Sequence, residues 1–277
     1  MTQPAAGRSF IDHVRRALAA TGLSPPRAGE ACVVLFDTTP WSAFEAEASL
    51  LLGAAERERA SRFRFDHDRC AYVLAHALWR VVLAACLERD TGEVPLAFRP
   101  SGQPCLPGTS LATSLSHSGP VVLMAVANAR MLGVDVERWP PRVPLDELLP
   151  VICAPEEAGV LGPLPAARRE RALLQLWTRK EALLKAFGTG LAQAPASFCA
   201  RPGEPVRPPS DPDGLPCHVA DLALAGEWMG ALAASLDVTR YRLHAPATGA
   251  GPAWDGCAWV QEMAPPDPPE TSPNVNQ

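Results

Sequence analysis

The chain has 277 residues, of which 47% are hydrophobic and 20% are charged, enough apolar material for one large domain or two medium ones. Its formal net charge of -5 argues against nucleic acid as the main partner, although a local basic patch could still bind a phosphorylated ligand. No apolar run approaches the roughly 20 residues of a membrane-spanning helix, and the N-terminal segment is too charged for a signal peptide. We therefore expect a cytoplasmic protein with no membrane partner.

The 8 cysteines include no C-x-x-C pair, which removes the usual zinc signature. Most lie in apolar stretches such as LAACLE and PVICAP, so buried free thiols are favoured over disulfides. Proline, with 30 residues, is concentrated in a few turns, in the loop from residue 201 and in the C-terminal tail. We expect this tail to be partly disordered.

In chain order, the sequence patterns fall into two similar series. An amphipathic helix over residues 8–21, with apolar side chains at helical spacing, comes first. The first series has a strand over 31–38, a helical region over 55–88, a short segment over 95–104 and a strand over 120–127. The second series has a strand over 131–137, helices within 154–187, a short segment over 195–205 and a strand over 227–236.

Isolated helices that alternate with turn-separated strands favour an α+β fold over a doubly wound sheet. We expect an N-terminal α+β half over 1–130, a C-terminal α+β half over 131–245 and a proline-rich tail over 246–277. Two similar halves predict pseudo-twofold symmetry, with a ligand in the crevice between them. Because both halves lie in one chain, we expect a monomer.

The segment LGVDVE carries two acids on an expected strand. Val134 and Val136 alternate with Asp135 and Glu137, so the carboxylates project from one face while the valines enter the core. Adjacent carboxylates repel each other and are costly to bury unless a cation lies between them. Such ligands suit Mg²⁺ together with substrate phosphates, but this segment alone favours a solvated edge strand with its acids outward.

The segment LWTRKEALLKAFGTGL places Glu181 one helical turn before Lys185. In this orientation the pair can simply stabilise an exposed helix by roughly a few tenths of a kcal/mol. Trp177, one turn before Glu181, indicates a packed face, and Lys180 adds a second ammonium beside the acid. A partly desolvated Glu181 could therefore complete a metal site or accept a proton, while Lys185 neutralises a phosphate.

The segment TSLSHSGP provides Ser116, His117 and Ser118 at an expected strand end, where hydroxyls and an imidazole can hydrogen-bond phosphate oxygens. A serine hydrolase is the rival interpretation, but no G-x-S-x-G elbow or orienting acid accompanies these residues. Satisfied turn residues remain an open alternative. The arginines of ERERASRFRFDHDR, among them Arg59 and Arg69, form either a solvated helix face or a grip on phosphate.

The segments SRFRFDHDR, SGQPCLPG, SLSHSG, LGVDVE and LWTRKEALLKAFGTGL follow one another within residues 31–236. In this order the chain resembles the 4'-phosphopantetheinyl transferases of the two-halved, surfactin-synthetase-activating type, and the last two segments are specific as a pair. The resemblance implies transfer of 4'-phosphopantetheine from coenzyme A to a serine of an acyl or peptidyl carrier protein, with release of adenosine 3',5'-bisphosphate. It leaves open which biosynthetic pathway the carrier serves.

The resemblance also implies roles for individual residues. Asp135, Glu137 and Glu181 would hold Mg²⁺. Glu181 would take the serine proton and Lys185 would contact the pyrophosphate, so the expected catalytic residues are Glu181, Lys185 and Asp135. The residues expected to bind coenzyme A are Arg59, Arg69, Gly102, Gln103, Pro104, Ser116, His117, Lys180 and Lys185. Gln103 stands where the family pattern has a lysine, so an amide replaces a cation near the nucleotide.

Two alternatives come from other functional classes, namely a non-catalytic adaptor that binds coenzyme A or a carrier protein, and a metal-dependent phosphohydrolase. The three acids and Lys185 argue against the adaptor, because a pure binder has no need for crowded carboxylates. Carrier proteins are generally acidic, so we expect a basic docking surface on the helix that leads to Glu181. The candidate docking residues are Arg168, Arg169, Arg171 and Arg179.

Overall fold

The computed structural model describes residues 8–246 and 258–263. The helices are α1 Arg8–Ala20, α2 Glu45–Ser49, α3 Ala54–Ser61, α4 Asp66–Leu87, α5 Leu149–Ile152, α6 Pro155–Leu161 and α7 Ala166–Phe187. The strands are β1 Glu30–Asp37, β2 Ala97–Phe98, β3 Pro104–Cys105, β4 Leu111–Ser118, β5 Val121–Asn128, β6 Leu132–Arg138, β7 Cys217–Leu222, β8 Trp228–Ser235, β9 Arg240–His244 and β10 Ala258–Glu262.

The predicted α+β class is confirmed, and the four long predicted strands agree with β1, β5, β6 and β8 to within about one residue at each end. The two short segments differ from each other. Residues 95–104 supply most of the β2–β3 ribbon, whereas the predicted counterpart over 195–205 begins with a short 3₁₀ helix, Pro195–Ser197.

The strands form two larger sheets. The first has the order β10-β9-β1-β5-β4 and the second the order β6-β8-β7. Strand β9 pairs in parallel with β1, and β10 pairs with β9. Residues 240–244 thus complete the first sheet, although the predicted boundaries place them in the C-terminal half. Likewise, 258–262 form a strand within the predicted tail, whose residues 247–257 and 264–277 lie outside the described residues.

Three apolar clusters hold these layers together. The first lies between the first sheet and helices α1 and α4, and includes Phe10 and Leu78. The second contains side chains of both sheets, such as Leu123 and Val134. The third joins the second sheet to α7 and includes Leu183. Helix α7 is therefore fixed against the sheet that contains β6.

Helix α4 corrects one expectation from the sequence. By length and composition it is apolar enough to cross a membrane, contrary to the prediction that no segment is. However, 67% of its most apolar window is buried inside the protein, and Leu74, Leu78 and Trp79 belong to the first apolar cluster. This helix is apolar because it is packed on several sides by the rest of the protein.

A glycine allows α7 to approach β6 closely. A Cβ atom added at Gly133 would lie 2.0 Å from the backbone oxygen of Ala182 and 2.6 Å from the backbone nitrogen of Ala186. Only a residue without a side chain fits in this space. Because Asp135 lies two residues after Gly133, and Glu181 and Lys185 flank Ala182, this contact brings the predicted catalytic residues together.

Candidate active site

Lys185 bonds to a different acid from the one that its helical spacing suggests. Its Nζ atom lies 2.7 Å from Oδ1 of Asp135 and 3.0 Å from the backbone oxygen of Val134. Ser116 donates a hydrogen bond of 2.7 Å to the same Oδ1 atom. The close packing of α7 on β6 therefore replaces the simple Glu181–Lys185 surface pair with a contact between helix and strand.

Asp135 and Glu181 each retain an unpaired oxygen. The side chain of Asp135 is only 6% exposed, and its Oδ2 atom is buried without a hydrogen-bond partner in the part of the chain that the structure describes. The Oε1 atom of Glu181 is in the same situation. Unpaired buried oxygens on two acids are costly unless another group binds them.

The acids also act on one another electrostatically. Burial, followed by repulsion from Asp135 and Glu137, raises the pKa of Glu181 from 4.5 to about 7, although Lys185 acts in the opposite direction. Burial also raises the pKa of Glu137, against a hydrogen bond that Ser118 donates to its Oε2 atom at 2.8 Å. A carboxyl group with a pKa near neutrality is suited to accept a proton at physiological pH.

The donor set can be tested against the expected Mg²⁺. A cation between Asp135 and Glu181 would supply partners for both unpaired oxygens, and Mg²⁺ commonly takes one or two carboxylates together with phosphate oxygens and water. Among the described residues, no three side chains of the metal-binding types lie close enough to share one ion. The structure therefore fits a site based on Asp135 and Glu181, and the participation of Glu137 stays a prediction.

A cavity of about 300 Å³ adjoins this cluster. Helices α3 and α4 line it on one side and the C-terminal end of α7 on another, with β4 and the β2–β3 ribbon between them. The predicted coenzyme A residues that line it are Arg59, Gly102, Gln103, Pro104, His117 and Lys185. Burial, followed by the charges of His76, Lys185 and Arg59, lowers the pKa of His117.

Gln103 bonds to the backbone of α7. Its Nε2 atom donates to the backbone oxygens of Lys185 at 3.0 Å and of Ala186 at 3.2 Å. Gly188, in the left-handed conformation that ends α7, leaves room for it, because a Cβ atom there would lie 2.6 Å from Oε1 of Gln103. The amide thus ties the β2–β3 ribbon to the helix that carries Glu181 and Lys185.

Three of the predicted coenzyme A residues lie elsewhere. Ser116 is buried behind the cavity, on Asp135. Lys180 is fully buried, donates to the backbone oxygens of Pro195 and Phe198, and pairs with Glu157 at 2.6 Å. For Lys180, the structure replaces the predicted ligand contact with a structural one.

Arg69 also lies outside the lining of the cavity. It bonds to Glu45 at 2.9 Å and to Asp66 at 2.8 Å, because it follows the first turn of α4, where acids of α2 and α4 meet. Its guanidinium is therefore held by two acids, and its contact with coenzyme A stays a prediction.

Several lining residues were missed by the sequence analysis. They are Tyr72, His76 and Trp79 of α4 and Phe98 of β2. Tyr72 and His76 are one turn apart on α4, and two residues with polar groups at this spacing within an apolar helix could have indicated a face that lines a cavity. The apolar residues around them masked this signal.

The segment that carries the acids matches a family. The sequence profile of the 4'-phosphopantetheinyl transferase superfamily matches residues 131–209, which include Asp135, Glu137, Glu181 and Lys185. The 4'-phosphopantetheinyl transferase HetI of Nostoc sp. (strain PCC 7120) is 31% identical over 56% of this chain and 68% of its own length. The chain belongs to the 4'-phosphopantetheinyl transferase superfamily.

Further phosphopantetheinyl transferases show a similar likeness. One from Thraustochytrium sp. is 31% identical over 60% of this chain and 63% of its own length. The enzyme Sfp of Bacillus subtilis is 26% identical over 53% of this chain and 64% of its own length. The matched regions thus cover about two thirds of these relatives. The predicted family and the predicted enzyme class, a phosphopantetheinyl transferase that uses coenzyme A, are confirmed.

Proposed function

We propose that this phosphopantetheinyl transferase moves 4'-phosphopantetheine from coenzyme A to a serine hydroxyl of a carrier protein and releases adenosine 3',5'-bisphosphate. The observation that carries the proposal is the contact between β6 and α7, which joins Lys185 to Asp135 and leaves one oxygen each of Asp135 and Glu181 unpaired. Coenzyme A would occupy the adjoining cavity, in the crevice between two halves related by pseudo-twofold symmetry.

Glu181 acts as the general base. Its carboxylate takes the proton of the carrier serine, directly or through water, as the serine oxygen attacks the β-phosphorus of the pyrophosphate. Without a bound cation the pKa of Glu181 is about 7, and a cation beside it would lower this pKa and favour the carboxylate that accepts the proton. Asp135 and Glu181, with or without Glu137, would hold Mg²⁺, which would supply positive charge to stabilise the breaking phosphoanhydride.

Lys185 orients the acid and meets the leaving group. Its ammonium is held by Asp135 and by the backbone oxygen of Val134, and it lines the cavity. From this position it can also donate to a pyrophosphate oxygen and stabilise the charge on the departing bisphosphate. Ser116 fixes the same oxygen of Asp135, so Asp135 keeps one orientation while Lys185 contacts the ligand.

The test combines the purified protein with an apo carrier protein, coenzyme A and Mg²⁺, and follows the carrier by mass spectrometry. A gain of one phosphopantetheine supports the proposal, whereas a carrier of unchanged mass supports the adaptor. Loss of coenzyme A without a change in the carrier supports the phosphohydrolase. A carrier whose serine is replaced by alanine should stay unmodified.

Two variants connect the reaction to the cluster. Asp135→Asn and Glu181→Gln should each lower the transfer rate at least about a hundredfold, a loss of roughly 3 kcal/mol of transition-state stabilisation. Glu170→Gln, the same type of change on the same helix, serves as the control. Variants of Asp135 and Glu181 with activity within a few-fold of wild type would contradict the assigned roles.

The carrier protein would dock on the first half of α7. A groove of about 490 Å³ there is lined by Arg168, Arg171, Arg179 and Arg201, which suits an acidic partner. Arg169, another candidate, forms a two-pronged contact with Asp146, as Arg179 does with Asp221, and Arg201 pairs with Glu156. Arg168 and Arg171 make no salt bridge within the described residues and are the arginines best placed to meet an acidic partner. We further propose that the protein is a cytoplasmic monomer and that its activity requires neither nucleic acid nor a membrane.

A further inference from the structure

A partly buried histidine that is hydrogen-bonded to a buried carboxylate lines the cavity. His76 of α4 lies with Nδ1 2.8 Å from Oε1 of Glu56 on α3. Their side chains are only 12% and 8% exposed. Glu56 is held in turn by the backbone N–H of Gly53 at 2.7 Å and by Arg80. The carboxylate therefore has a fixed position, and the imidazole is oriented by it.

The ring of His76 is also fixed by its neighbours. The ring of Tyr72 lies 4.2 Å away, centroid to centroid, and the ring of Trp79 lies edge-on at 6.0 Å. Since Nδ1 donates to Glu56, Nε2 is the nitrogen left for another partner. It makes no hydrogen bond to the part of the chain that the structure describes, while His76 lines the cavity.

Cationic and imidazole side chains line the same cavity as His76. Arg59, one turn after Glu56 on α3, lines the cavity with its guanidinium 5.6 Å above the Tyr72 ring. His117 of β4 and Lys185 of α7 line other parts of the same wall. Arg80 faces the pair from α4 but is bound to Glu56.

Cationic and imidazole side chains around one cavity can donate hydrogen bonds to an anionic ligand. The pKa of His117 is lowered first by burial and then by the charges of His76, Lys185 and Arg59. Despite its burial, hydrogen bonds from His76, Gly53 and Arg80 lower the pKa of Glu56 to about 2, so its carboxylate stays ionised and accepts the Nδ1–H of His76.

Coenzyme A has two anionic groups, the pyrophosphate and the 3'-phosphate monoester. In the proposed function the pyrophosphate lies at Lys185 and the acids of β6 and α7, which leaves the monoester for the α3–α4 side of the cavity. We propose that His76, oriented by Glu56, is a specificity-determining residue that binds the 3'-phosphate of coenzyme A through Nε2, beside Arg59. This inference rests on the proposed function and adds a residue that the sequence motifs did not indicate.

The test compares coenzyme A with 3'-dephospho-coenzyme A as phosphopantetheine donors. His76→Asn keeps an amide near the position of Nδ1, where it can still donate to Glu56, but removes Nε2. Loss of one charge-assisted hydrogen bond should lower kcat/KM for coenzyme A about tenfold to a hundredfold, with little change for the dephospho donor. His67→Asn, at an exposed histidine of the same helix, should change neither value.

The outcomes separate the two proposals. Equal losses with both donors in His76→Asn would overturn the role of His76, while transfer by the wild-type protein would still support the proposed function. If the wild type transfers nothing to the carrier, the proposed function fails. Binding then tests His76 by itself, because His76→Asn should bind adenosine 3',5'-bisphosphate at least about tenfold more weakly than the wild type does, with an unchanged affinity for adenosine 5'-phosphate. Equal affinities of the two proteins for the bisphosphate would overturn the inference.

Rescue by a conservative variant gives a readout that a purely structural role would not produce. His76→Gln, which retains a donor near the position of Nε2, should keep more of the preference for coenzyme A over the dephospho donor than His76→Asn does. Equal loss of this preference in the two variants would contradict the proposal. Should His76→Asn fail to fold, His76→Ala takes its place in this comparison.

Discussion

The replacement Glu181→Gln should make the protein more stable at high pH while it abolishes transfer. Glu181 has a pKa of about 7, raised from 4.5 by burial and by the charges of Asp135 and Glu137, with Lys185 opposing. The folded protein therefore holds this proton more tightly than the unfolded chain does. As the pH rises from about 4.5 through 7, ionisation of Glu181 becomes increasingly unfavourable to the folded state. Glutamine carries no charge and avoids this cost.

The size of the effect follows from the pKa. Each pKa unit corresponds to about 1.4 kcal/mol, so the rise at Glu181 sets an upper limit of roughly 3 kcal/mol at pH 8. Since Glu181 is only partly buried, screening by solvent reduces this value, and we expect a gain of about 1–2 kcal/mol. At pH 5, where most of the cost has not yet developed, the gain should be about 0.5 kcal/mol or less.

Urea unfolding of the wild type and of Glu181→Gln, at pH 5 and pH 8 without divalent cations, measures this difference. Glu170→Gln, about three turns earlier on α7, should show no gain that depends on pH. Adding Mg²⁺ at pH 8 should stabilise the wild type more than Glu181→Gln, because the variant lacks one of the proposed ligands. A gain of equal size at both pH values, or none at pH 8, would refute the idea that crowded carboxylates destabilise this site.

Three further predictions concern packing and docking. Gly133→Ala forces α7 away from β6, where the new Cβ would lie 2.0 Å from a backbone oxygen, and should lower stability by about 1–3 kcal/mol and transfer by more than tenfold. Gly92→Ala, whose new Cβ atom would have no neighbour within 4 Å, is the control for Gly133→Ala in thermal unfolding and transfer assays. Lys180→Met leaves Glu157 buried without its cation and should cost about 3–5 kcal/mol in urea unfolding, with an unchanged KM for coenzyme A. A raised KM would restore the ligand role of Lys180. Arg168→Glu should raise KM for the carrier protein but not for coenzyme A, and equal effects on both would argue against docking at this groove.

The sequence predicts the strands well because their signals are local. Val134 and Val136 alternate with Asp135 and Glu137, and this alternation alone locates β6 and both acids. Glu181 and Lys185 were located in the same way by helical spacing. The meeting of strand and helix depends on Gly133, whose importance only the packed structure reveals.

Other features could not be predicted because their partners are distant in sequence. Lys180 resembles a second ligand beside Glu181, but its ammonium is bound by backbone oxygens of a loop after α7, and loop backbones leave no periodic signal. His76 lies in a segment whose apolar neighbours dominate the pattern, so its bond to Glu56 was not visible. The pairing of β9 with β1 also joins segments that are distant in sequence. It could not be predicted, because the pattern of a strand does not specify which strand becomes its neighbour.

The parallel pairing of β9 with β1 means that the polypeptide leaves the first sheet after β5 and returns to it only after β8. Cutting the chain between residues 130 and 131 would therefore not give two self-sufficient fragments. The N-terminal piece would expose the unpaired edge of β1, which favours aggregation. The C-terminal piece would carry β9 and β10 without β1, the strand with which β9 pairs. Activity from separately produced fragments should require that they be refolded together.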